Sequence, residues 1–403
     1  MRVYVAPCGI GLGHITRAAP IAAELDRRGE KTVFSTYLDG LDYATSRSLP
    51  TYAAVPIDFK VTSDGSIDFK MTAARSGFSL GIRMFLRQVV REIQFMKNFK
   101  PDVVFSDSRA SSLIAAWLMR IPVVLMLNQF KVEIVRRPSS RHLSIVDRLF
   151  FFIANIGWVF VRTTIGLVWG RSNVIMIPDL PAPYTICLGN LAIPKRYSDK
   201  VRLIGPIVDD NHPVQEGHDK IKNELGFSSD KPSIYAAVSG PKVERRILNR
   251  ILGESLPALS KDYNIVLSRG EPEGKRTPIS ENGITAYDWI DNQDDVIKAS
   301  DVVISRAGHG TIMKSLCFGK PMVLIPIPDH TEQYGNARRS SSLHVATMID
   351  QSKLNSGTLK AALDQILSVQ DYRSSSVQIM QITGRLHGVS MACDIIESTA
   401  GRS

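Results

Sequence analysis

Short apolar runs alternate along the chain with stretches of helical spacing. Arg2–Ala6, Lys31–Thr36, Asp102–Ser106, Val123–Leu127 and Val174–Ile177 are almost continuously apolar and rich in β-branched residues, the character of strands buried on both faces of a sheet. Between the first two, Ile15, Ala18, Ala19, Ala22 and Leu25 share one face of a helix over Ile15–Arg28, with Pro20 either bending that helix or lying in its first turns. The alternation predicts a parallel sheet sandwiched by helices. From Pro50 to Gly77 charged residues and glycines interrupt the apolar runs, and the stretch reads as loops that could cover a site.

The second half repeats this grammar in Ser233–Val238, Asn264–Leu267, Ile284–Tyr287, Val302–Ser305 and Met322–Ile325. The fold class expected is therefore α/β, with two units in tandem: residues 1–205 and residues 206–384. Asp209-Asp210-Asn211-His212-Pro213, polar and proline-containing, has the composition of an interdomain linker. One segment breaks the pattern: Leu149 to Val161 is almost wholly apolar, and the run resumes after Arg162 as Ile165 to Trp169. Thirteen residues before an arginine fall short of the ~20 that a bilayer span needs. A core helix, a shallow interfacial segment over about 143–170 and a full span all remain open. Flanking Arg136, Arg137, Arg141 and Arg148, with Trp158 and Trp169, favour the interfacial reading.

Composition narrows the function classes. With 44% hydrophobic and 22% charged residues, long disorder is not expected. Cys8, Cys187, Cys317 and Cys393 lie far apart, without metal-ligand spacing, and read as thiols in a reducing compartment. Met1 leads straight into a strand pattern with no charged leader, apolar stretch and cleavage site in succession, so the catalytic parts are expected to face the cytoplasm. The net charge of +10 calls for an anionic partner. Nucleic acid is disfavoured, because the basic residues are dispersed and no zinc-finger or RNA-binding signature occurs. The arginines before the apolar segment point instead to a membrane surface.

Two stretches carry chemistry. The first strand ends in Cys8-Gly9-Ile10-Gly11-Leu12-Gly13-His14, a glycine loop opening a helix; such loops let backbone amides approach a phosphate or sugar. Its spacing departs from the dinucleotide fingerprint, so NAD binding is not supported. His14 could accept a proton from a hydroxyl, or cap the helix. The second stretch runs from Asp301 through Ser305-Arg306-Ala307-Gly308-His309-Gly310-Thr311, a helix over Ile312–Cys317 and a further strand, to Thr331-Glu332-Gln333-Tyr334-Gly335-Asn336. Here a strand delivers a glycine turn onto a helix N-terminus, with Arg306 and His309 placed to neutralise a diphosphate. Glu332 and Gln333, in the loop after the next strand, could hydrogen-bond sugar hydroxyls, while a solvated cap at Glu332 and a helix start at Asn336 are the plainer alternatives. Ser239-Gly240-Pro241 is a second glycine turn, either a phosphate contact or a simple turn.

At these residues the chain resembles the GT-B glycosyltransferases, specifically the MurG-like branch (glycosyltransferase family 28) and its archaeal and eukaryotic relatives that add the second N-acetylglucosamine to a lipid-linked sugar. The likeness spans essentially the whole chain and is most specific from Tyr287 to Ala337. It implies two Rossmann-like domains with parallel sheets facing across a cleft, an N-terminal acceptor domain, a C-terminal nucleotide-sugar domain, and a last helix within 385–403 packing back on the first domain. Gly11, Gly13 and His14 match the family's N-terminal loop. Trp289 and Ile290 match the loop whose backbone receives uracil. Arg306, Gly308, Gly310 and Thr311 match the diphosphate turn, and Glu332, Gln333 and Asn336 match the loop that reads the sugar. Lys314 stands where the family carries a ribose-binding glutamate, so ribose recognition must differ or the nucleotide does.

The resemblance implies an inverting transferase that moves a hexose, N-acetylglucosamine from UDP-GlcNAc, onto a polyprenyl or dolichyl diphosphate sugar in glycan or N-glycan precursor assembly. His14 would be the base, with Asp107 orienting it, binding acceptor or merely capping a helix. No cofactor and no metal are expected, the UDP-sugar being a donor substrate. The enzyme is placed at the cytoplasmic face of the membrane as a peripheral or monotopic protein, and no oligomeric state follows from the sequence. The rival expectations are a UDP-GlcNAc 2-epimerase-like isomerase and a non-catalytic lipid-headgroup or regulatory subunit of the same fold.

Overall fold

The computed structural model describes residues 1–56, 69–130, 163–208 and 218–401. The first unit contains β1 (Arg2–Pro7), α1 (Gly13–Arg27), β2 (Lys31–Thr36), α2 (Asp39–Ser46), β3 (Thr51–Ala53), α3 (Phe69–Phe99), β4 (Val103–Asp107), α4 (Ala110–Leu118), β5 (Val123–Met126), α5 (described over 163–169), β6 (Val174–Ile177), α6 (Leu188–Leu191) and β7 (Val201–Leu203). Its strands form one parallel sheet in the order β3-β2-β1-β4-β5-β6-β7. Every residue of β4 and β5 is buried, as the uninterrupted apolar runs require of strands covered on both faces.

The second unit runs through α7 (His218–Glu224), β8 (Ser233–Ala237), α8 (Lys242–Ser255), β9 (Asn264–Ser268), β10 (Ile279–Glu281), β11 (Ile284–Tyr287), α9 (Gln293–Ala299), β12 (Val302–Ser305), α10 (His309–Cys317), β13 (Met322–Leu324), α11 (Thr331–Ser342), β14 (Ala346–Met348), α12 (Ser356–Ser368) and α13 (Gln370–Thr383). Its sheet order is β10-β11-β9-β8-β12-β13-β14, parallel except for the β10–β11 pair. The expected architecture of two α/β units with parallel sheets is therefore present.

Then α14 (Gly388–Ala400) returns to the first unit. Val389, Ala392, Cys393 and Ile396 enter the same core cluster as Ile15, Ile21 and Leu25 of α1, each large apolar side chain worth roughly 1.5–3 kcal/mol on burial. Arg28, just past α1, bonds Asp394 at 2.6 Å and Glu397 at 3.0 Å. The chain crosses itself where it leaves and re-enters the first unit. A Cβ on Gly388 would lie 2.2 Å from the Pro206 carbonyl oxygen, so only glycine fits there.

Three local expectations change. Thr51–Ala53 is an edge strand and Phe69–Gly77 opens the 31-residue α3, so Pro50 to Gly77 is not wholly loop. Pro20 lies in the interior of α1. The apolar run Leu149–Val161, its arginine flank, Trp158 and the linker Asp209–Pro213 lie outside the described residues. Trp169 is 4% exposed and meets Phe130 edge-on at 5.7 Å, so this end of the run belongs to the core. No helix of the described residues is long and apolar enough to cross a membrane.

Candidate functional site

In an open parallel sheet, ligands bind beyond the carboxyl ends of the strands where the strand order reverses. In the first sheet that point lies between β1 and β4. The loop after β1 leads into α1, whose second residue is His14, and β4 ends in Asp107. The two side chains meet: His14 Nδ1 lies 2.8 Å from Asp107 Oδ1. A carboxylate can only accept, so the bond to Asp107 places the proton on Nδ1 and leaves Nε2 as the acceptor of the ring, with Arg17 Nη2 3.2 Å from the same Nδ1. Arg17, one turn along α1 on the same face, donates from Nε and Nη2 to both oxygens of Asp107 at 2.5 Å. Burial alone would raise the Asp107 pKa, but Arg17 and His14 outweigh it and hold the carboxyl well below the usual carboxylate range. Asp107 is fully buried while a quarter of the His14 side chain is exposed. The result is a fixed imidazole whose exposed part faces outward from a buried counter-charge.

The glycines of this loop have different reasons. A Cβ on Gly9 would fall 1.9 Å from the Tyr37 carbonyl oxygen, and Gly11 has φ +70°, which favours glycine. The Gly11 amide donates to Asp39 Oδ2 at 3.1 Å. Nothing lies within 4 Å of a Cβ placed on Gly13, so the first turn of α1 is approachable.

In the second sheet the order reverses between β8 and β12. Ser239 and Gly240 follow β8, with Gly240 at φ +109°. Beyond β12, Ala307 takes φ +60° and Gly308 is the N-cap of α10. A Cβ on Gly308 or Gly310 would meet nothing within 4 Å. With Thr311 this makes an open cradle of backbone N–H groups at a helix N-terminus, a natural anion site.

The charged side chains beside that cradle are placed otherwise than the sequence reading had them. Arg306 is fully buried behind the turn, with Nη2 2.9 Å from the Glu244 carbonyl oxygen and 3.6 Å from Glu244 Oε2, and Nη1 bonded to Gln351. Burial pulls its pKa down to about 10, against the pull of Glu244. His309 is also buried and bonds Asp179 of the first unit at 3.1 Å. Burial would raise Asp179, but His309 and the amide of Cys187 bring it to about 2. A buried guanidinium is stable only when paired, so Arg306 lies beside Glu244, and His309 likewise bonds a carboxylate rather than the cradle. Cys187 completes a group with Asp179 and His309 whose candidate ligand atoms lie within 4.8 Å of one another. Asp179 already accepts from the amides of Leu180, Ile186 and Cys187, which accounts for its charge by hydrogen bonding.

The loop before α11 divides similarly. Glu332 Oε1 accepts from Asn128 Nδ2 of the first unit at 2.6 Å, spanning the cleft. Gln333 instead turns back, its Oε1 accepting from the Ile327 amide at 2.8 Å. Asn336 is fully buried and donates to the Ala307 carbonyl at 3.2 Å, so it braces the glycine turn. Trp289 is buried against Tyr43 of α2, ring centroids 5.9 Å apart, and its amide donates to Lys275 at 3.3 Å. Ile290 beside it is also buried. Lys314 is paired with Asp294 of α9 at 2.6 Å. Sequence reasoning missed Arg17, Asp39, Asn128 and Asp179. Only Arg17 carried a sequence signal, its one-turn spacing from His14.

Comparison with known proteins accords with this geometry. Residues 242–383 match the glycosyltransferase family 28 C-terminal domain. An uncharacterized glycosyltransferase of Methanosarcina acetivorans is 25% identical over 100% of this chain and 99% of its own length. The UDP-N-acetylglucosamine–N-acetylmuramyl-(pentapeptide) pyrophosphoryl-undecaprenol N-acetylglucosamine transferase of Legionella pneumophila is 24% identical over 92% of this chain and 90% of its own. Among solved structures, the Streptomyces sp. SF2575 glycosyltransferase SsfS6 complexed with thymidine diphosphate superposes with TM-score 0.63 at 17% identity, covering 99% of each chain. The chain is a glycosyltransferase with the GT-B fold, whose residues 242–383 match the family 28 C-terminal domain and whose full length is similar to MurG-like transferases.

Proposed function

We propose that this enzyme transfers N-acetylglucosamine from UDP-GlcNAc, with inversion, to a hydroxyl of a lipid-linked diphosphate sugar at the cytoplasmic face of a membrane. The observation that carries the reading is the His14–Asp107 pair at one switch point opposite the open cradle at Gly308–Thr311 at the other. His14 Nε2 takes the acceptor hydroxyl proton as that oxygen attacks the anomeric carbon; the bond from the anomeric carbon to the diphosphate breaks on the far side, and UDP leaves. Asp107 stabilises the imidazolium that forms, and the first-turn amides of α10 stabilise the departing diphosphate. The helix terminus supplies the positive potential, so the reading includes no metal and no cofactor. Arg306 acts only by bracing the turn from behind.

The membrane side of the reading rests on the outer layer of the first unit. Arg83, Leu86, Arg87, Val90, Arg91 and Gln94 of α3 recur three or four residues apart along its exposed face, with Leu86 and Val90 each 56% exposed. Trp117 and Leu118 of α4 and Leu167 of α5 are likewise exposed, and these helices cover the same face of the sheet. Interleaved arginine and aliphatic residues suit an anionic lipid surface.

The test is incubation of UDP-GlcNAc with short-chain lipid-diphosphate sugars, read by mass spectrometry. Acceptor mass rising by one N-acetylhexosamine, with UDP released, is expected. Turnover of the nucleotide sugar without acceptor would replace the reading with an isomerase, and failure to bind any nucleotide sugar would replace it with a non-catalytic subunit.

A further inference from the structure

The two glycine loops come close together across the cleft. A Cβ added to Gly11 would lie 3.6 Å from the Gly240 backbone carbon, so a single methyl on the loop that carries His14 would reach the loop after β8. One buried ion pair spans this approach: Arg245 Nη1 bonds Asp39 Oδ1 at 2.8 Å. The same Nη1 bonds the Gly240 carbonyl at 2.7 Å, and the other oxygen of Asp39 holds the Gly11 amide at 3.1 Å. Gly240, Arg245, Asp39 and Gly11 thus form one chain of hydrogen bonds from the second domain to the first. Arg245 Nε is buried and has no hydrogen-bond partner among the described residues; the polar contacts shown for this guanidinium are those at the cleft. Asp39 reaches its place through Leu38, which takes φ +48° at the N-cap of α2, a conformation costly for a leucine that the surrounding structure must hold.

We propose that Asp39 and Arg245 are positioning residues: the bridge they form sets the distance and angle between the His14 loop of the acceptor domain and the donor loop of the nucleotide domain, and thereby the rate of transfer. The proposal rests on the transferase reading above. Neither residue touches the reacting atoms. A purely structural pair would lower the melting temperature and leave the rate at saturation alone, whereas misplacing a base by about 1 Å costs roughly 10²-fold in rate.

The experiment uses the full chain as wild type, Asp39→Asn, Arg245→Lys and the double variant. Thermal melts fix a temperature at which all four are folded; UDP affinity, kcat and both KM values are then measured, and small-angle scattering reports the spread of interdomain distances. Expected are a fall in kcat of about 10²-fold for each single variant, UDP affinity within about threefold, a broader distance distribution, and a double variant no worse than the poorer single, as coupled residues behave. Unchanged kcat at saturating substrates, losses that multiply in the double variant, or an unaltered distance distribution would overturn the bridge. A wild type that neither binds UDP nor transfers sugar would overturn the transferase reading instead, and the scattering would still decide whether the pair holds the domains together.

Discussion

The two switch points solve opposite problems with different material. At the first, between β1 and β4, the working parts are side chains: His14 is fixed by Asp107, which is fixed by Arg17. At the second, between β8 and β12, the working part is backbone, because Gly308 and Gly310 leave the start of α10 uncovered while the nearby side chains of Arg306 and His309 are turned to Glu244 and Asp179. Moving a proton needs a titratable group with a fixed partner. Holding a diphosphate as it leaves needs only preorganised N–H dipoles. On the proposed transferase reading, the difference assigns rate to the first centre and nucleotide affinity to the second, and each can be broken separately.

Removing the imidazole gives the largest effect. His14→Ala is expected to lower kcat by about 10²–10⁴-fold while UDP binds as before, measured by steady-state kinetics beside calorimetry. Loss of UDP affinity in step with kcat would mean the two centres are not separate. The converse variant, Gly310→Val, places branched carbon over the cradle where a Cβ meets nothing within 4 Å. The fold should therefore tolerate it, and UDP affinity should fall by at least about tenfold through lost amide contacts. Unchanged affinity would move the nucleotide elsewhere.

How much of this the sequence disclosed depends on the range of the interaction. The apolar strand runs and the glycine turns are local, and both are visible in a single stretch of chain. His14 was legible because it follows the glycines directly. The sequence points Arg306 and His309 to the diphosphate because they flank Gly308, but their partners Glu244 and Asp179 are 62 and 130 residues away by separation. Desolvation forces such pairing, and no spacing rule announces it. The family resemblance implies that Asn336 reads the sugar, while in the structure it donates to the Ala307 carbonyl. The edge strands β3, β7, β10 and β14 escaped notice because three residues at a half-exposed edge carry no periodic signal.

The Asp179–His309 pair links the two halves, so acid should loosen them. Asp179 is held at about 2, below the ~3.9 of an unfolded aspartate. A depressed carboxyl adds stability that is complete above the unfolded value and disappears as pH falls through the folded one. Its contribution, on the order of 2 kcal/mol, should be present at pH 5 and higher and decline between about pH 4 and pH 2. Thermal melts of wild type and Asp179→Asn across that range should converge toward the acid end. A gap that stays constant with pH would show that the carboxylate's charge is not what stabilises the interface.

The smallest effect concerns the outer surface of the first half. A single arginine near an anionic membrane contributes about 1 kcal/mol, so Arg87→Gln should weaken binding to phosphatidylserine vesicles by roughly fivefold and more weakly as salt rises. Because Arg87 is exposed on α3 and not among the residues that form the His14–Asp107 pair or the cradle, kcat with a soluble short-chain acceptor should not change. Transfer to an acceptor embedded in vesicles should show a raised apparent KM. The asymmetry between the halves makes the outcome specific: an acceptor presented on a membrane is felt only by the domain that binds acceptor, so UDP affinity should be identical with and without vesicles. Vesicle-dependent UDP affinity would place the lipid contact on both halves and remove the division of labour between the two switch points.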